Sequence, residues 1–323
     1  MNALTEHIQP TDLKSSNAGF REEVLRGLLQ NSKRLPCKFL YDREGSRLFD
    51  RICELDEYYL TRTEMAILRK HIEEISARCG TECLLVELGS GSSVKTRLLL
   101  DHLRAAIGYV PVDISREHLL RTAEGLNGDY PELAILPLCA DFNQPLCLPI
   151  LARPARRTIV FFPGSTIGNL EPEEAENLLS RLRSICRPGD ALLIGVDLQK
   201  SPVVLERAYN DAEGITAAFN VNLLRRINCE LGGQFDLGQF RHRAIYNHTS
   251  RRIEMHLVSR RAQTVWIAET PVFFRKGEHI TTEYSHKYTL NGFAQIARRA
   301  GLQVEGIWTD ERRWFAIFFL ERT

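Results

Sequence analysis

Residues Leu84–Leu100 read LLVELGSGSSVKTRLLL, and the architecture of the chain follows from this segment. The apolar run that leads to Glu87 predicts a strand, the glycines Gly89 and Gly91 predict a tight turn, and a helical pattern begins at about Lys95. Glycine has no Cβ, so the backbone can bend sharply there and come close to a ligand. The segment therefore predicts the strand–turn–helix unit of an α/β sheet.

The spacing of the glycines argues against a dinucleotide as the ligand. The dinucleotide pattern G-x-G-x-x-G is incomplete, because Val94 stands where its third glycine would be. Glu87 precedes the first glycine by two places, and an E-x-G-x-G turn is typical of the loop that holds the aminoacyl end of S-adenosylmethionine. The alternative is a plain strand-to-helix turn that binds nothing.

A second strand, Tyr109–Ile114, carries a carboxylate near its end. Asp113 lies 22 residues after Gly91, close to the spacing at which α/β nucleotide folds place an acid on the ribose hydroxyls. A carboxylate can accept both hydrogen bonds of a vicinal diol. The alternative for Asp113 is an ordinary helix N-cap, since Ser115 follows.

Polar groups also follow the next two strands. After the third strand, Ala134–Leu138, come Asp141 and Phe142, an acid and a ring that could bond and stack on adenine; an ordinary loop aspartate is the alternative. The fourth strand, Thr158–Phe162, is apolar throughout, as expected of a strand buried on both faces. It leads into a glycine-rich loop with Asn169, whose amide suits both the ammonium and the carboxylate of an amino acid.

The alternation of strands and helices continues to a fifth strand, Ala191–Leu198, and predicts a doubly wound parallel sheet. Near the end of the chain, the strands Leu302–Trp308 and Trp314–Leu320 are joined by a short charged turn, which requires an antiparallel pair. The predicted fold class is α/β, with a Rossmann-like class I methyltransferase sheet that ends in an antiparallel hairpin.

An insert separates the fifth strand from this hairpin. Helical spacing (Pro202–Tyr209, Ile215–Ile227) is followed by three alternating segments (Phe240–Asn247, Arg252–Val258, Thr264–Ile267), which predicts an inserted α+β domain. Residues 225–261 hold eight arginines and three acids, and this permits an RNA-binding interpretation. The arginines come mostly in adjacent pairs spaced over strands, and no aromatic stacking pattern accompanies them, so a solvated face is favoured.

Directly after the insert, Glu283 and Ser285 share a face of an extended segment. A carboxylate beside a hydroxyl suits an imidazole N–H, and a plain surface strand is the alternative.

The composition excludes several classes of partner. Forty-two Lys and Arg against 41 Asp and Glu give a net charge of +1, which provides no overall attraction to nucleic acid or to an anionic membrane. The sequence shows no apolar leader and no run of transmembrane length. Its eight cysteines form no C-x-x-C pair and are expected to be reduced thiols. We therefore expect a cytoplasmic protein without a metal, a nucleic-acid partner or a membrane partner.

Four motifs, LYDREGSRLFDRI (40–52), VELGSGSSVKT (86–96), FFPGSTIGN (161–169) and TEYSHKY (282–288), resemble the histidine-specific methyltransferase family. The resemblance extends from about residue 20 to the end of the chain. The enzyme after which the family is named uses S-adenosylmethionine to trimethylate the α-amino group of L-histidine. The product is hercynine, in the first step of ergothioneine biosynthesis. Other members methylate indole amino acids such as tryptophan derivatives. The pair Glu283 and Ser285 argues against an indole here, because an indole lacks a second ring nitrogen.

The resemblance also implies roles for individual residues. The cofactor-binding residues would be Gly89, Gly91, Lys95, Asp113, Asp141 and Phe142, and the substrate-binding residues Tyr59, Asn169, Tyr209, Met255, Glu283 and Ser285. Asn169 and Tyr41 would be catalytic by position: with Tyr209 they would hold the backbone groups of histidine. Glu283 and Ser285 would hold the imidazole, with Met255 against the ring. No residue is assigned as the proton acceptor.

The same resemblance predicts two domains. Residues 1–60 and 198–286 would bind the substrate, and residues 61–197 and 287–323 would bind S-adenosylmethionine. The expected enzyme is a monomer that acts on free L-histidine.

Overall fold

A computed structural model describes residues 17–91 and 93–322 of the protein, so the first sixteen residues of the predicted substrate domain lie outside it. The helices are α1 (Asn17–Leu28), α2 (Arg43–Glu54), α3 (Tyr59–Cys79), α4 (Val94–Leu100), α5 (Arg116–Asp129), α6 (Pro172–Ile185), α7 (Pro202–Tyr209), α8 (Ile215–Leu231) and α9 (Leu290–Arg299). The strands are β1 (Cys83–Leu88), β2 (Gly108–Asp113), β3 (Ala134–Ile135), β4 (Leu138–Cys139), β5 (Arg157–Phe162), β6 (Ala191–Asp197), β7 (Phe240–Asn247), β8 (Arg252–Ser259), β9 (Gln263–Ile267), β10 (Thr270–Phe274), β11 (His279–His286), β12 (Gln303–Thr309) and β13 (Phe315–Glu321). Within these residues, no helix combines the length and the apolar character that a membrane crossing requires.

The central sheet has the strand order β12-β13-β6-β5-β1-β2-β3, and β4 also pairs with β2. Strands β1 to β6 pair in parallel, whereas β13 runs antiparallel to both β6 and β12. Every residue of β1 and β6 is buried, because helices cover both faces of the sheet. The predicted α/β sheet with an antiparallel terminal hairpin is confirmed.

The predicted third strand, Ala134–Leu138, is wrong in one respect: it consists of two short pieces. Ala134 and Ile135 pair with the start of β2, and Leu138 and Cys139 pair with its end. Pro137 lies at the interruption, and proline has no N–H to donate to a sheet. The edge of the sheet is therefore broken where the chain turns toward Asp141.

The insert between β6 and α9 is an α+β unit, as predicted. Strands β7, β8 and β11 form an antiparallel sheet in the order β11-β8-β7, and β9 pairs with β10 as a separate hairpin. The sequence did not predict β10. Helix α8 runs four residues beyond the predicted end at Ile227 and ends at Leu231, where Gly232 adopts a left-handed φ of 64°.

The segment before α3 attaches to this insert by hydrogen bonds. The N–H of Leu35 donates to the Thr281 carbonyl at 2.9 Å, and the Asn222 amide on α8 donates to Asp42 at 2.8 Å. The Arg226 guanidinium donates to the Phe39 carbonyl at 3.0 Å. These bonds hold the N-terminal segment against the insert, and residues of this segment reach the end of the central sheet.

Candidate active site

A cavity of about 150 Å³ lies at the carboxyl ends of the central strands. Five of its lining residues follow strands of the sheet and were predicted to bind the cofactor: Gly89, Gly91, Asp113, Asp141 and Phe142. Asn169, after β5, and Tyr41, from the N-terminal segment, line the same cavity. The structure thus brings together the sheet edge and the segment that is bonded to the insert.

The glycine turn leaves open space beside its backbone. Gly89 has φ +73° and Gly91 φ +43°, conformations that side chains with a Cβ rarely adopt. A Cβ added at Gly89 would meet no atom within 4 Å. Since both glycines line the cavity, a ligand can approach the backbone of the turn closely.

Glu87 stabilises the residues on either side of this turn. Its buried carboxylate accepts a hydrogen bond from the Thr96 hydroxyl at 2.6 Å and another from the Tyr109 hydroxyl. Burial raises the pKa of Glu87 to about 7, and the two hydroxyl donors offset part of that increase. The acid of the E-x-G-x-G motif therefore connects β1, β2 and α4.

Asp113 and Asp141 each use one oxygen to order their own loop. The Asp113 carboxylate accepts the N–H of Ser115 at 2.8 Å, but the N-cap position of α5 is occupied by Ser115, so Asp113 is not the N-cap of this helix. Asp141 accepts the N–H of Asn143 at 2.9 Å, and Lys38 lies 3.5 Å from its other oxygen. Burial raises the pKa of Asp113, and backbone donors counteract the increase.

Glu283 projects from β11 on the insert side and is 9% exposed. It lies directly opposite Met255 in the β8–β11 register, so the two side chains are neighbours on one face. Burial raises the pKa of Glu283 to about 7, although the positive charge of Lys287 opposes this increase. Of the hydrogen bonds among the described residues, none reaches this carboxylate.

Aromatic hydroxyls and a thiol surround Glu283. Burial, followed by the Glu283 charge, raises the pKa of Cys37 to about 12 and that of Tyr41 well above its ordinary range. Burial also raises the pKa of Tyr209, although Lys287 opposes this increase. Both tyrosines are therefore neutral phenols at pH 7 and can donate hydrogen bonds.

Ser285 and Tyr209 are joined directly, with 2.9 Å between their hydroxyl oxygens. Lys287 donates to both of them, at 2.7 Å and 3.1 Å. The face of β11 that carries Glu283 and Ser285 thus continues to Lys287, which sequence reasoning missed. The strand period of two would have found it, because residue 287, the first after β11, falls on the same side as residues 283 and 285.

Six predicted ligand-binding residues lie outside the set that lines the cavity: Tyr59, Lys95, Tyr209, Met255, Glu283 and Ser285. Of these, Tyr59 and Lys95 are engaged by other parts of the chain. The Tyr59 hydroxyl donates to Asp197 at 2.7 Å, and its ring packs against Trp314 at 5.2 Å. Lys95 forms a 2.5 Å ion pair with the buried Glu64, which also accepts the N–H of Gly164 at 2.9 Å. Both residues thus support the loops around the site.

The neighbouring tyrosine, Tyr58, packs against the rings of Tyr209 and Phe49. Its ring lies 6.0 Å from that of Tyr209 and 6.2 Å from that of Phe49. Burial raises its pKa, with further contributions from Tyr209, Tyr41 and Glu283. The sequence did not show which of the two tyrosines would lie beside Tyr209. The start of helix α3 places the Tyr58 ring there and the Tyr59 ring beside Trp314.

Comparisons with known proteins agree with this geometry. The profile of a family described as histidine-specific, S-adenosylmethionine-dependent methyltransferases matches residues 20–322. The chain is 43% identical over 301 residues to the histidine N-alpha-methyltransferase of Mycolicibacterium smegmatis, covering 92% of each chain. It is 41% identical over 308 residues to the protein of the same name from Mycobacterium tuberculosis, covering 94% of this chain and 95% of the other. It is also 32% identical over 295 residues to ergothioneine biosynthesis protein 1 of Neurospora crassa, covering 86% of this chain and 32% of that one.

Proposed function

The chain belongs to the family of histidine-specific, S-adenosylmethionine-dependent methyltransferases, and we propose that it trimethylates the α-amino group of L-histidine to give hercynine. The observation that carries the proposal is the Glu283 carboxylate: it is buried, receives no hydrogen bond from the described residues, and, besides burial, its charge raises the pKa values of the Tyr41 and Tyr209 hydroxyls. Leaving a buried carboxylate without a donor is costly. An imidazole N–H would supply the missing donor.

The glycine turn and the acids at the sheet edge would hold S-adenosylmethionine, which supplies a methyl group on a positively charged sulfur. Gly89 and Gly91 would let the cofactor approach the backbone. The Asp113 oxygen that is not bonded to Ser115 would accept ribose hydroxyls, and Asp141 with Phe142 would contact the adenine. The open space at Gly89 supports this placement.

The insert side would hold the amino acid. Glu283 and Ser285 would bind the imidazole, and Met255 would contact its ring. Tyr41, Tyr209 and Asn169 would bind the α-amino and α-carboxylate groups. For Tyr58 we propose the direct contact that was expected of Tyr59, whose hydroxyl is engaged by Asp197. Tyr59 and Lys95 would act indirectly, by holding neighbouring loops.

Methyl transfer of this kind depends mainly on alignment, which can contribute about 7–11 kcal/mol to lowering a barrier. Asn169 and Tyr41 would align the substrate nitrogen, since both line the cavity that contains the glycine turn. The raised pKa values of Tyr41 and Tyr209 keep their protons in place as hydrogen-bond donors.

An assay of products tests the proposal. The protein is incubated with S-adenosylmethionine and either L-histidine or L-tryptophan, and S-adenosylhomocysteine release and product masses are measured. We expect turnover with histidine and the appearance of mono-, di- and trimethylated species. A preference for tryptophan, or a reaction that stops after one methyl group, would contradict the assignment.

We also propose that residues 17–60 and 198–286 form the substrate-binding lobe of a cytoplasmic monomer, and that residues 61–197 and 287–322 bind the cofactor. The hydrogen bonds from Leu35 to Thr281 and from Asn222 to Asp42 support the lobe. No disulfide joins the eight cysteines, all of which lie in the described residues, as in a reducing compartment. One chain supplies both halves of the site. Sedimentation at micromolar concentration tests the monomer, and a stable dimer would contradict it.

A further inference from the structure

Lys287 is a buried lysine whose three ammonium protons each have an acceptor. Its Nζ lies 2.8 Å from Asp197 Oδ2, 2.7 Å from Ser285 Oγ and 3.1 Å from the Tyr209 hydroxyl oxygen. The side chains of Lys287 and Asp197 are both 0% exposed. Burial disfavours the charge of Lys287, but contact with Asp197 raises its pKa above the ordinary range. Lys287 therefore acts on the two hydroxyls as a fixed cation.

Pairing with Asp197 does not by itself explain this lysine, because a second lysine already serves that carboxylate. Lys200 donates to Asp197 Oδ1 at 2.6 Å, to the Tyr59 hydroxyl at 2.7 Å and to the Leu198 carbonyl at 2.5 Å. Burying a further cation beside one anion is unfavourable unless other acceptors compensate it. Ser285 and Tyr209 are those further acceptors.

The bonds from Lys287 limit what the two hydroxyls can do. Each hydroxyl oxygen has one proton and two lone pairs. Lys287 uses one lone pair of each, and the bond between the hydroxyls uses one proton and one further lone pair. A single free proton and a single free lone pair remain, and they are on different oxygens. One hydroxyl can then only donate to a ligand, and the other can only accept.

We propose that Lys287 is a positioning residue that makes Ser285 and Tyr209 a coupled pair, so that the ring and the backbone of the substrate amino acid are recognised together. The inference rests on the proposed function, in which these hydroxyls contact histidine. When Tyr209 donates to the carboxylate of the substrate, Ser285 is left to accept from the ring; when Ser285 donates, Tyr209 accepts. Among the described residues, the hydrogen-bond acceptors of the Lys287 ammonium are the two hydroxyls and Asp197.

Steady-state kinetics of Lys287→Met against Lys200→Met test this role. Both variants remove a buried lysine from Asp197, but only Lys287→Met removes the donors to Ser285 and Tyr209. We expect the KM for histidine to rise about 10-fold or more in Lys287→Met, as for loss of a charged hydrogen-bond donor. We expect Lys200→Met to change it less than about 3-fold, and S-adenosylhomocysteine affinity to stay within about 2-fold in both.

A double-mutant cycle separates positioning from general destabilisation. In a Ser285→Ala/Tyr209→Phe background, adding Lys287→Met should change the KM for histidine less than about 2-fold, because the groups through which it acts are gone. An undiminished effect in that background, or equal effects of the two lysine variants in the wild-type background, would overturn the inference.

Loss of folding in Lys287→Met is handled by removing the charge cluster as a whole. In Asp197→Asn/Lys200→Met/Lys287→Met the carboxylate and both of its lysines are replaced together, so no buried charge of the cluster loses its partner, and such replacements are often tolerated. The same rise in the KM for histidine is expected, and an unchanged KM would overturn the inference. Turnover of histidine by the wild-type protein is measured separately. Its absence would refute the proposed function, whereas the variants test the coupling of the two hydroxyls.

Discussion

Two buried carboxylates, one on each side of the site, differ in what surrounds them. Glu87 lies below the glycine turn, and Glu283 lies on the insert; burial raises the pKa of each to about 7. Glu87 receives hydrogen bonds from Thr96 and Tyr109, whereas none among the described residues reaches the Glu283 carboxylate. Side chains around the glycine turn thus supply the hydrogen bonds to Glu87, whereas the Glu283 carboxylate on the insert is left to accept from a ligand.

The difference shows how the two sides would recognise their ligands. At the sheet edge, open backbone at Gly89 and loop carboxylates are held by local hydrogen bonds. On the insert, a charge and several hydroxyls are withdrawn from water, where hydrogen bonds are stronger and an unpaired group is costly. Removing Glu283 should therefore affect one ligand, and removing Glu87 should affect neither ligand directly.

The largest effect on binding is expected for Glu283→Ala. Because the variant removes a charged acceptor from a buried site, histidine affinity should fall about 100-fold, or about 2.7 kcal/mol. S-adenosylhomocysteine affinity should stay within about 2-fold. Calorimetric titration of each ligand checks this, and equal losses for both ligands would show that the imidazole assignment is wrong.

A second effect concerns stability and its dependence on pH. The pKa of Glu283 is about 7 in the folded protein against an ordinary value of 4.5, so the folded state holds its proton more tightly. The contribution of Glu283 to the free energy of unfolding is complete below pH 4.5 and is lost as the pH rises through about 7. Glu283→Gln has no such loss. We expect the variant to be more stable than wild type by about 3 kcal/mol at pH 8 and by less than about 1 kcal/mol at pH 5.

Urea unfolding of the ligand-free proteins at the two pH values measures this difference. A stability gain of the same size at both would contradict the assigned pKa of Glu283, since a packing effect would not depend on pH in this way.

The close contact between the loop at Gly168 and strand β11 gives a third prediction. A Cβ at Gly168 would lie 2.9 Å from the His286 carbonyl oxygen on β11, so Gly168→Ala must move the loop that carries Asn169. We expect kcat/KM for histidine to fall about 10-fold, within the 1–3 kcal/mol typical of overpacking. Gly128→Ala on α5 is the control, because a Cβ there meets no atom within 4 Å. If both variants kept wild-type kinetics, the loop would not need this close contact.

The smallest effect is expected for Glu87→Gln. The amide oxygen can still accept from Thr96 and Tyr109, so histidine affinity should change less than about 2-fold and stability less than about 1 kcal/mol. Calorimetry and urea unfolding of this variant beside Glu283→Gln compare the two carboxylates directly. A loss of histidine affinity as large as that of Glu283→Ala would remove the distinction between them.

Local sequence patterns predicted the features that depend on local geometry. The glycine turn, Asp113 at the end of β2 and the antiparallel terminal hairpin follow from strand periodicity, turn residues and connection lengths. The break in the third strand follows from Pro137, whose missing N–H was not taken into account. The hairpin partner β10 was missed, because its five residues alternate too briefly beside β9.

Tertiary pairing determines the contacts at the site that local patterns did not predict. Lys95 turns to Glu64, and Tyr59 to Asp197, through contacts between residues distant in sequence. No local sequence pattern predicts such pairs. Lys287 differs, because its place two residues after Ser285 was readable from the strand period, but its role depends on Asp197 and Tyr209 from other elements.

A crystal structure with S-adenosylhomocysteine and L-histidine tests the central claim most directly. The account predicts the nucleoside ligand against Gly89 and Gly91, and the imidazole within hydrogen-bond distance of Glu283 and Ser285. A histidine side chain directed away from Glu283, or a ligand that leaves the glycine turn empty, would contradict it.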